Sequence, residues 1–231
     1  MRDAIWDEPY IRSLYSAVFN SIKKQIPVNT NVLIEVGSGN GISREFLPSA
    51  ILTDVTFHEL LDATCDSISL PFRSNSTDVI VIKDALHHIP DVDLFIAEAH
   101  RILSVGGRLI VFDPYWGILA RFVYRFLHHE KFNTRAITWS FSSQSPWDSN
   151  QALSYLLLRR DRHKFEKKFS YFKIEEHEVL VGPSFLLSGG VSRRTIISGR
   201  LLTKLLNWEM RRSNWFNALR FFHIFSLTKI S

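Results

Sequence analysis

The sequence predicts an α/β fold: a mostly parallel sheet with helices packed outside it, an antiparallel strand at its C-terminal end, and an insertion after the fifth strand. Three observations predict it. Short runs rich in β-branched residues recur at 32–36, 51–54, 78–82 and 108–112. Each is continuously apolar rather than alternating, the pattern of a strand buried on both faces. Between the later runs, residues 93–103 carry Phe95, Ile96, Ala99, Ile102 and Leu103 at helical spacing. The first run breaks at three alternating glycines, Gly37, Gly39 and Gly41, where a strand can turn tightly. Alternation of strand and helix on this scale builds a parallel sheet.

The elements follow in chain order. Ile11, Leu14, Tyr15, Val18, Phe19 and Ile22 recur at helical spacing and Pro27 closes the pattern, so residues 1–29 are expected to form a helical cap of one or two helices. Residues 30–114 hold the alternating core, in which Gly106-Gly107 is expected to end the last helix and turn the chain into the next strand. After Pro114 the pattern changes. Residues 116–127 are apolar on most sides, 140–151 are polar and turn-forming, and 151–165 are again helical in spacing. A strand is expected at 173–181, a loop at 182–190, a helix at 199–212 and a strand at 221–230. The whole reads as one domain, with 115–190 a substrate-binding insertion and 191–231 closing helices and strand.

Composition limits the function. A chain of 231 residues, 45% hydrophobic and 13% aromatic, buries one substantial core. Its single cysteine, Cys65, allows neither an intrachain disulfide nor a thiolate metal cluster, fits a reducing cytoplasmic setting, and reads as a passive small residue. The N-terminal MRDAIWDEPY is charged where a signal peptide is apolar, and no window approaches the ~18 apolar residues of a membrane span, so a soluble protein is expected. The net charge of +5, with a pI near 9.4, gathers late, in Arg193, Arg194, Arg200, Lys204, Arg211, Arg212, Arg220 and Lys229. That bias reads as a solvated basic face, although nucleic acid, an anionic sugar or a membrane surface could use it.

The glycine turn reads E-x-G-x-G-x-G, from Glu35 to Gly41. It matches neither the G-x-G-x-x-G of a dinucleotide site nor the Gly-Lys-Ser/Thr of a P-loop. Three alternating glycines beside an acid still bring bare backbone close to a ligand. Asp54, at the end of the next strand, can accept from ribose hydroxyls or cap a helix. Asp66 can accept from an adenine amino group or simply hold a turn, and Leu70-Pro71-Phe72 can shape an apolar wall.

Taken in order, EVGSGNG, the TD ending at Asp54, D-x-x-x-L-P-F from Asp66, STDVIVIKDALHHI and EAHRILSVGGRLIVFDP resemble the class I S-adenosylmethionine-dependent methyltransferases, in their type 11 small-molecule subgroup, over residues 30–114. One departure is the short segment between Asp54 and Asp66, which must truncate the usual helix there. The resemblance implies a Rossmann-like, doubly wound sheet and S-adenosyl-L-methionine as cofactor. On it, Glu35 would anchor the glycine loop from beneath, and Gly37, Ser38, Gly39 and Gly41 would surround the methionine part. Asp54 would take the ribose, Asp66 with Ser67 the adenine, and Lys83 and Asp84 would stand near the sulfonium. His88 would be a structural residue at the cofactor edge rather than the base.

Displacement at a sulfonium disperses positive charge, so alignment and a dry pocket matter more than a metal, and no metal is expected. His128, His129 and Glu130 could form a cluster but read as a basic helix end meeting water. For a hydroxyl acceptor the candidate bases are His128, His129 and Asp113. The second half also resembles methyltransferases of bacterial surface-polysaccharide gene clusters. The acceptor is therefore expected to be a small or carrier-linked molecule, a sugar or polysaccharide-precursor hydroxyl. The alternatives are an isoprenoid or quinone-like acceptor, or a non-catalytic S-adenosylmethionine-binding module. Trp116, Phe122, Tyr124, Phe126 and Phe132 suit sugar stacking, core packing, or an amphipathic lid with peripheral membrane contact. Nucleic acid is excluded as acceptor: KDALHH stands where amino-methylating DNA enzymes carry Asp/Asn-Pro-Pro-Tyr/Phe, and no Pro-Cys nucleophile is present.

Overall fold

The computed structural model describes residues 8–128, 130–145, 147–189, 197–211 and 217–231. Helix α1 (Pro9–Lys23) starts at a proline, whose fixed φ suits the first turn. The core follows as β1 (Leu33–Val36), β2 (Ile51–Asp54), β3 (Ala63–Thr64), β4 (Thr77–Lys83), α2 (Val92–Ile102) and β5 (Leu103–Pro114). Next come α3 (Ile118–Phe126), α4 (Leu153–Tyr155) running into a π turn over Leu156–Arg160, α5 (Arg162–Lys168), β6 (Phe172–Leu180), α6 (Pro183–Leu187), α7 (Gly199–Arg211) and β7 (Phe222–Lys229). The sheet order is β3-β2-β1-β4-β5-β7-β6, parallel from β1 to β5, with β7 antiparallel to both neighbours.

The apolar runs are strands because both of their faces are covered. Ile34, Ile80, Ile82, Leu109 and Val111 point to a core made with Phe95, Ile96, Ala99 and Ile102 of α2 and with Leu153 and Leu156 of the insertion. Their strand neighbours Leu33, Val79, Val81 and Ile110 point the other way, against Leu14, Val18, Phe19 and Ile22 of α1 and Leu202 and Leu206 of α7. Phe19 and Phe95 are wholly buried, each contributing roughly 1.5–3 kcal/mol. The double winding expected from the sequence is thus built by helices on both faces.

Between β1 and β2 the chain makes only a 3-10 turn, Ile42–Glu45, and between β2 and β3 it makes no helix, the truncation expected from the short segment before Asp66. Other details differ from the sequence reading. Gly106 and Gly107 do not end α2, because the buried Leu103 already pairs with Thr77 and β5 begins there. The glycines sit in a register irregularity, Gly106 with φ +83. The run at 116–127 is not buried all round: Ala120 and Tyr124 are buried, while Ile118, Phe122 and Phe126 face solvent. The span 115–190 includes β6, which pairs with β7 in the main sheet.

The chain runs β1-β2-β3 to one side and β4-β5 to the other, so the carboxyl ends of β1 and β4 flank a switch point, where crevices open in such sheets. The loop at 140–151 is tied to that edge. Phe141 donates its N–H to the Pro90 carbonyl (2.9 Å), and Asn150 donates to that of His87 (2.9 Å).

Candidate active site

The site begins with Glu35, wholly buried inside β1. Its carboxylate accepts from the Ser43 hydroxyl (2.7 Å) and, more weakly, from that of Ser38 (3.3 Å), which ties the glycine loop down from below. Burial raises the Glu35 pKa, and the Ser43 hydrogen bond works against that rise. The three loop glycines all have φ between +55 and +74. They differ in what surrounds them. A Cβ on Gly37 would stand 2.5 Å from that of Ala85, and one on Gly41 would stand 2.8 Å from that of Leu60. A Cβ on Gly39 would meet nothing within 4 Å, so that stretch of backbone faces open space.

The open space is a cavity of about 640 Å³, well inside the ~300–1,000 Å³ of ligand sites. Gly37 and Gly39 line it from β1, Asp54 from β2, Asp66 and Ser67 from the loop after β3, and Asp84 and His88 from the end of β4. Asp54 accepts from the N–H groups of Gly39 (2.8 Å) and Thr56 (2.8 Å), which leaves each oxygen a second lone pair for a hydroxyl. Asp66 accepts the Ile68 N–H at 3.1 Å. Asp84 holds a left-handed φ of +57 while its N–H bonds the Phe112 carbonyl (2.7 Å), an uncommon conformation that turns the chain at the cavity edge. These features fit an adenosyl amino acid: bare backbone for the aminocarboxylate, carboxylates for ribose and adenine, and apolar Val36, Val55, Ile82 and Ile89 between.

Other expected site residues lie elsewhere. Ser38 and Gly41 support the loop from behind and do not line the cavity. Lys83 turns to the opposite face, its ammonium 5.4 Å from the centre of the Tyr15 ring. Burial works against that charge, but Tyr15, Asp84 and Glu35 hold the Lys83 pKa above its usual value.

The candidate bases need correction. Asp113 is fully buried, one oxygen on His87 Nδ1 (2.8 Å) and the other accepting from the Ser154 hydroxyl (2.8 Å), so it faces inward from β5 and not into the cavity. His128 follows α3, accepts the Glu130 N–H on Nδ1 (3.2 Å), packs edge-on to Tyr124, and does not reach the cavity. His129 lies outside the described residues.

The paired histidines divide their roles. Burial opposes a charge on His87, but Asp113, with Asp84 and Glu130 beyond it, pushes its pKa up to about 9. Burial and then the His87 charge lower that of His88, which is therefore a neutral imidazole at neutral pH. His88 Nδ1 lies 3.3 Å from the Asp148 carbonyl. A carbonyl only accepts, so Nδ1 carries the hydrogen and Nε2 the lone pair. Sequence reasoning missed the far wall: Phe57, His58, Pro90, Ser143, Gln144, Ser145 and Trp147. The available signal was a tryptophan inside a polar, turn-forming stretch. Asp148 builds that loop by accepting the N–H groups of Gln144 (2.7 Å) and Ser145 (3.0 Å).

The family model described as a methyltransferase domain matches residues 34–111, which hold the glycine loop, Asp54, Asp66, Asp84 and His88. Those residues carry the likeness to a methyltransferase domain, and the rest of the chain lies outside the match. Among curated proteins, the chain is 47% identical over 45 residues to the uncharacterized protein YafE of Escherichia coli, covering 20% of this chain and 22% of that one. It is 36% identical over 78 residues to the ubiquinone/menaquinone biosynthesis C-methyltransferase UbiE of Rhizobium rhizogenes, covering 33% and 28%. The matches therefore span less than a third of either relative. Among solved structures, a methyltransferase of Thermotoga maritima, described as a possible histamine N-methyltransferase, aligns over 93% of this chain and 89% of its own, with a TM-score of 0.55 and 16% identity. At that identity the likeness is one of fold.

Proposed function

We propose that this protein transfers the methyl group of S-adenosyl-L-methionine to a small molecule with an apolar ring, of the quinol or aromatic-hydroxyl class. The observation that carries the reading is the single cavity that joins the glycine loop and its carboxylates to a wall of Ile89, Pro90 and Trp147. The glycine end suits the cofactor. The opposite wall sets apolar surface beside the neutral imidazole of His88 and the polar Ser143, Gln144 and Ser145, and the flat faces of Pro90 and Trp147 suit an aromatic ring.

A quinone-type acceptor is also what the Rhizobium rhizogenes relative's name assigns to that protein. The sugar acceptor expected from the second half of the sequence has no such support. When bound, S-adenosyl-L-methionine supplies an electrophilic methyl group. The chain's own part is to hold the acceptor in line, and Trp147, which lines the cavity while 79% exposed, offers its ring as one wall.

Calorimetry with S-adenosylhomocysteine tests the cofactor half, and mass spectrometry after incubation with S-adenosylmethionine and paired acceptors tests the rest. A quinol or catechol should gain one methyl and a nucleotide sugar none. Methylation of the sugar alone would overturn the acceptor class, and absence of S-adenosylhomocysteine binding would overturn methyl transfer.

A further inference from the structure

We infer that His87, His88 and Glu130 form a site for one divalent transition-metal cation, of the kind that imidazole and carboxylate share, with Zn²⁺ its simplest occupant. The sequence expectation was that no metal is held, and its only weighed cluster was His128, His129 and Glu130. Folding instead carries Glu130 to the other histidine pair. One ligand atom from each of the three side chains lies within 4.8 Å of the others. His87 Nε2 is 3.6 Å and His88 Nε2 4.0 Å from a Glu130 oxygen. Ligands bonded at ~2.0–2.1 Å around a tetrahedral centre stand roughly 3.3–3.4 Å apart, so closing on a cation needs a shift of about 0.2–0.3 Å on the His87 edge and about 0.6–0.7 Å on the His88 edge.

The supporting shell is already built. Each histidine has its Nδ1 against an oxygen, His87 on Asp113 and His88 on the Asp148 carbonyl, which leaves Nε2 of both rings to face Glu130, and a bound cation would take the place of the His87 Nε2 proton, released to solvent. A carboxylate or carbonyl behind the imidazole is the arrangement that orients metal-bound histidines. Asp113 is in turn held by Ser154 (2.8 Å), and Glu130 by the Ser149 hydroxyl (2.9 Å) and the Gln151 amide. Two protein nitrogens and one carboxylate oxygen are a donor set for Zn²⁺, Co²⁺ or Fe²⁺ rather than for Mg²⁺ or Ca²⁺.

The cluster also has an approach. His88 lines the cofactor cavity, Glu130 lines a second cavity of about 420 Å³, and His87 is buried between them. Trp147 borders both cavities. A cation there would stand in the wall beside the proposed acceptor, where it could polarise an acceptor oxygen. The site itself does not depend on the acceptor reading, because cation binding is measured without any acceptor.

The test uses the whole protein, stripped with a chelator and dialysed. It is titrated with Co²⁺ while the visible spectrum is followed, then with Zn²⁺ by calorimetry. One equivalent per chain should saturate the Co²⁺ bands, and Zn²⁺ should displace it. Glu130→Gln and Asp113→Asn should each weaken binding by about 10–100-fold, whereas His163→Gln on the exposed surface should leave it unchanged. S-adenosylhomocysteine calorimetry on each variant reports whether the cofactor half remains folded, and Glu130→Gln stands as the test if Asp113→Asn does not fold. No saturable binding, or binding that Glu130→Gln leaves at full strength, overturns the site.

Discussion

Gly37 and Gly39 have similar backbone conformations but different surroundings, and alanine at each should separate stability from binding. Both sit in the left-handed region, at φ +74 and +55, where an L-residue costs roughly 1–2 kcal/mol. At Gly39 that is the whole stability cost, because the new Cβ meets nothing within 4 Å. For a chain of this size it lowers Tm by about 2–8 °C. At Gly37 the new Cβ stands 2.5 Å from the Ala85 Cβ, which cannot rotate away because it is fixed to its own backbone. Overpacking of that kind adds roughly 1–3 kcal/mol, for a total of about 2–5 kcal/mol.

Binding should show a different pattern. Gly39→Ala puts a methyl group into the cavity and should weaken S-adenosylhomocysteine at least ~10-fold, about 1.4 kcal/mol, in a protein that still melts cooperatively. Differential scanning calorimetry and titration calorimetry on the two variants read both quantities. Normal S-adenosylhomocysteine affinity in Gly39→Ala would show that the cofactor does not lie against this backbone. A Gly37→Ala protein as stable as Gly39→Ala would refute the argument from Ala85.

Asp54→Ala should weaken S-adenosylhomocysteine more than Asp66→Ala, because it also frees the Gly39 N–H. About 1–3 kcal/mol is expected for each lost hydrogen-bonding carboxylate, and calorimetry on both variants checks the order. Trp147→Ala should raise the acceptor KM about 5–10-fold with a smaller change in cofactor affinity, which steady-state kinetics would show. His223 is buried among Tyr115, Trp116 and Phe225, and burial pushes its pKa down to about 3. The unfolded chain binds that proton near pH 6.5 and the native state does not, so stability present above pH 6.5 is lost as the pH falls toward 3. Between pH 7.5 and 5 the loss is about 2 kcal/mol, and it should vanish from urea denaturation curves of His223→Phe. His87 acts on the alkaline side: the stability from its charge is complete below pH 6.5 and is lost as the pH rises through about 9, which denaturation in chelator would show as a second falling limb.

By itself the sequence determined the core and the glycine end of the cavity. Runs of β-branched residues at 32–36, 51–54, 78–82 and 108–112 can only be covered on both faces, and that requirement yields the parallel sheet with helices outside. The three alternating glycines and the acids at 54 and 66 lie near strand ends, where local chain geometry fixes which edge they occupy. Tertiary structure decided what depends on residues far apart in sequence. Asp113 reads as an exposed base at a strand end until Ser154, 41 residues later, and His87, 26 residues earlier, close over it. Lys83 is the last residue of the fourth strand rather than one just past it, and strand alternation turns it toward Tyr15. His128 was singled out for its company in sequence, whereas Glu130, two residues on, is carried to His87 and His88 by a loop whose path no periodicity encodes. Periodicity records which face of an element is buried, and it holds no information about which buried polar groups meet. Those meetings are set by the packing of the insertion against the sheet edge.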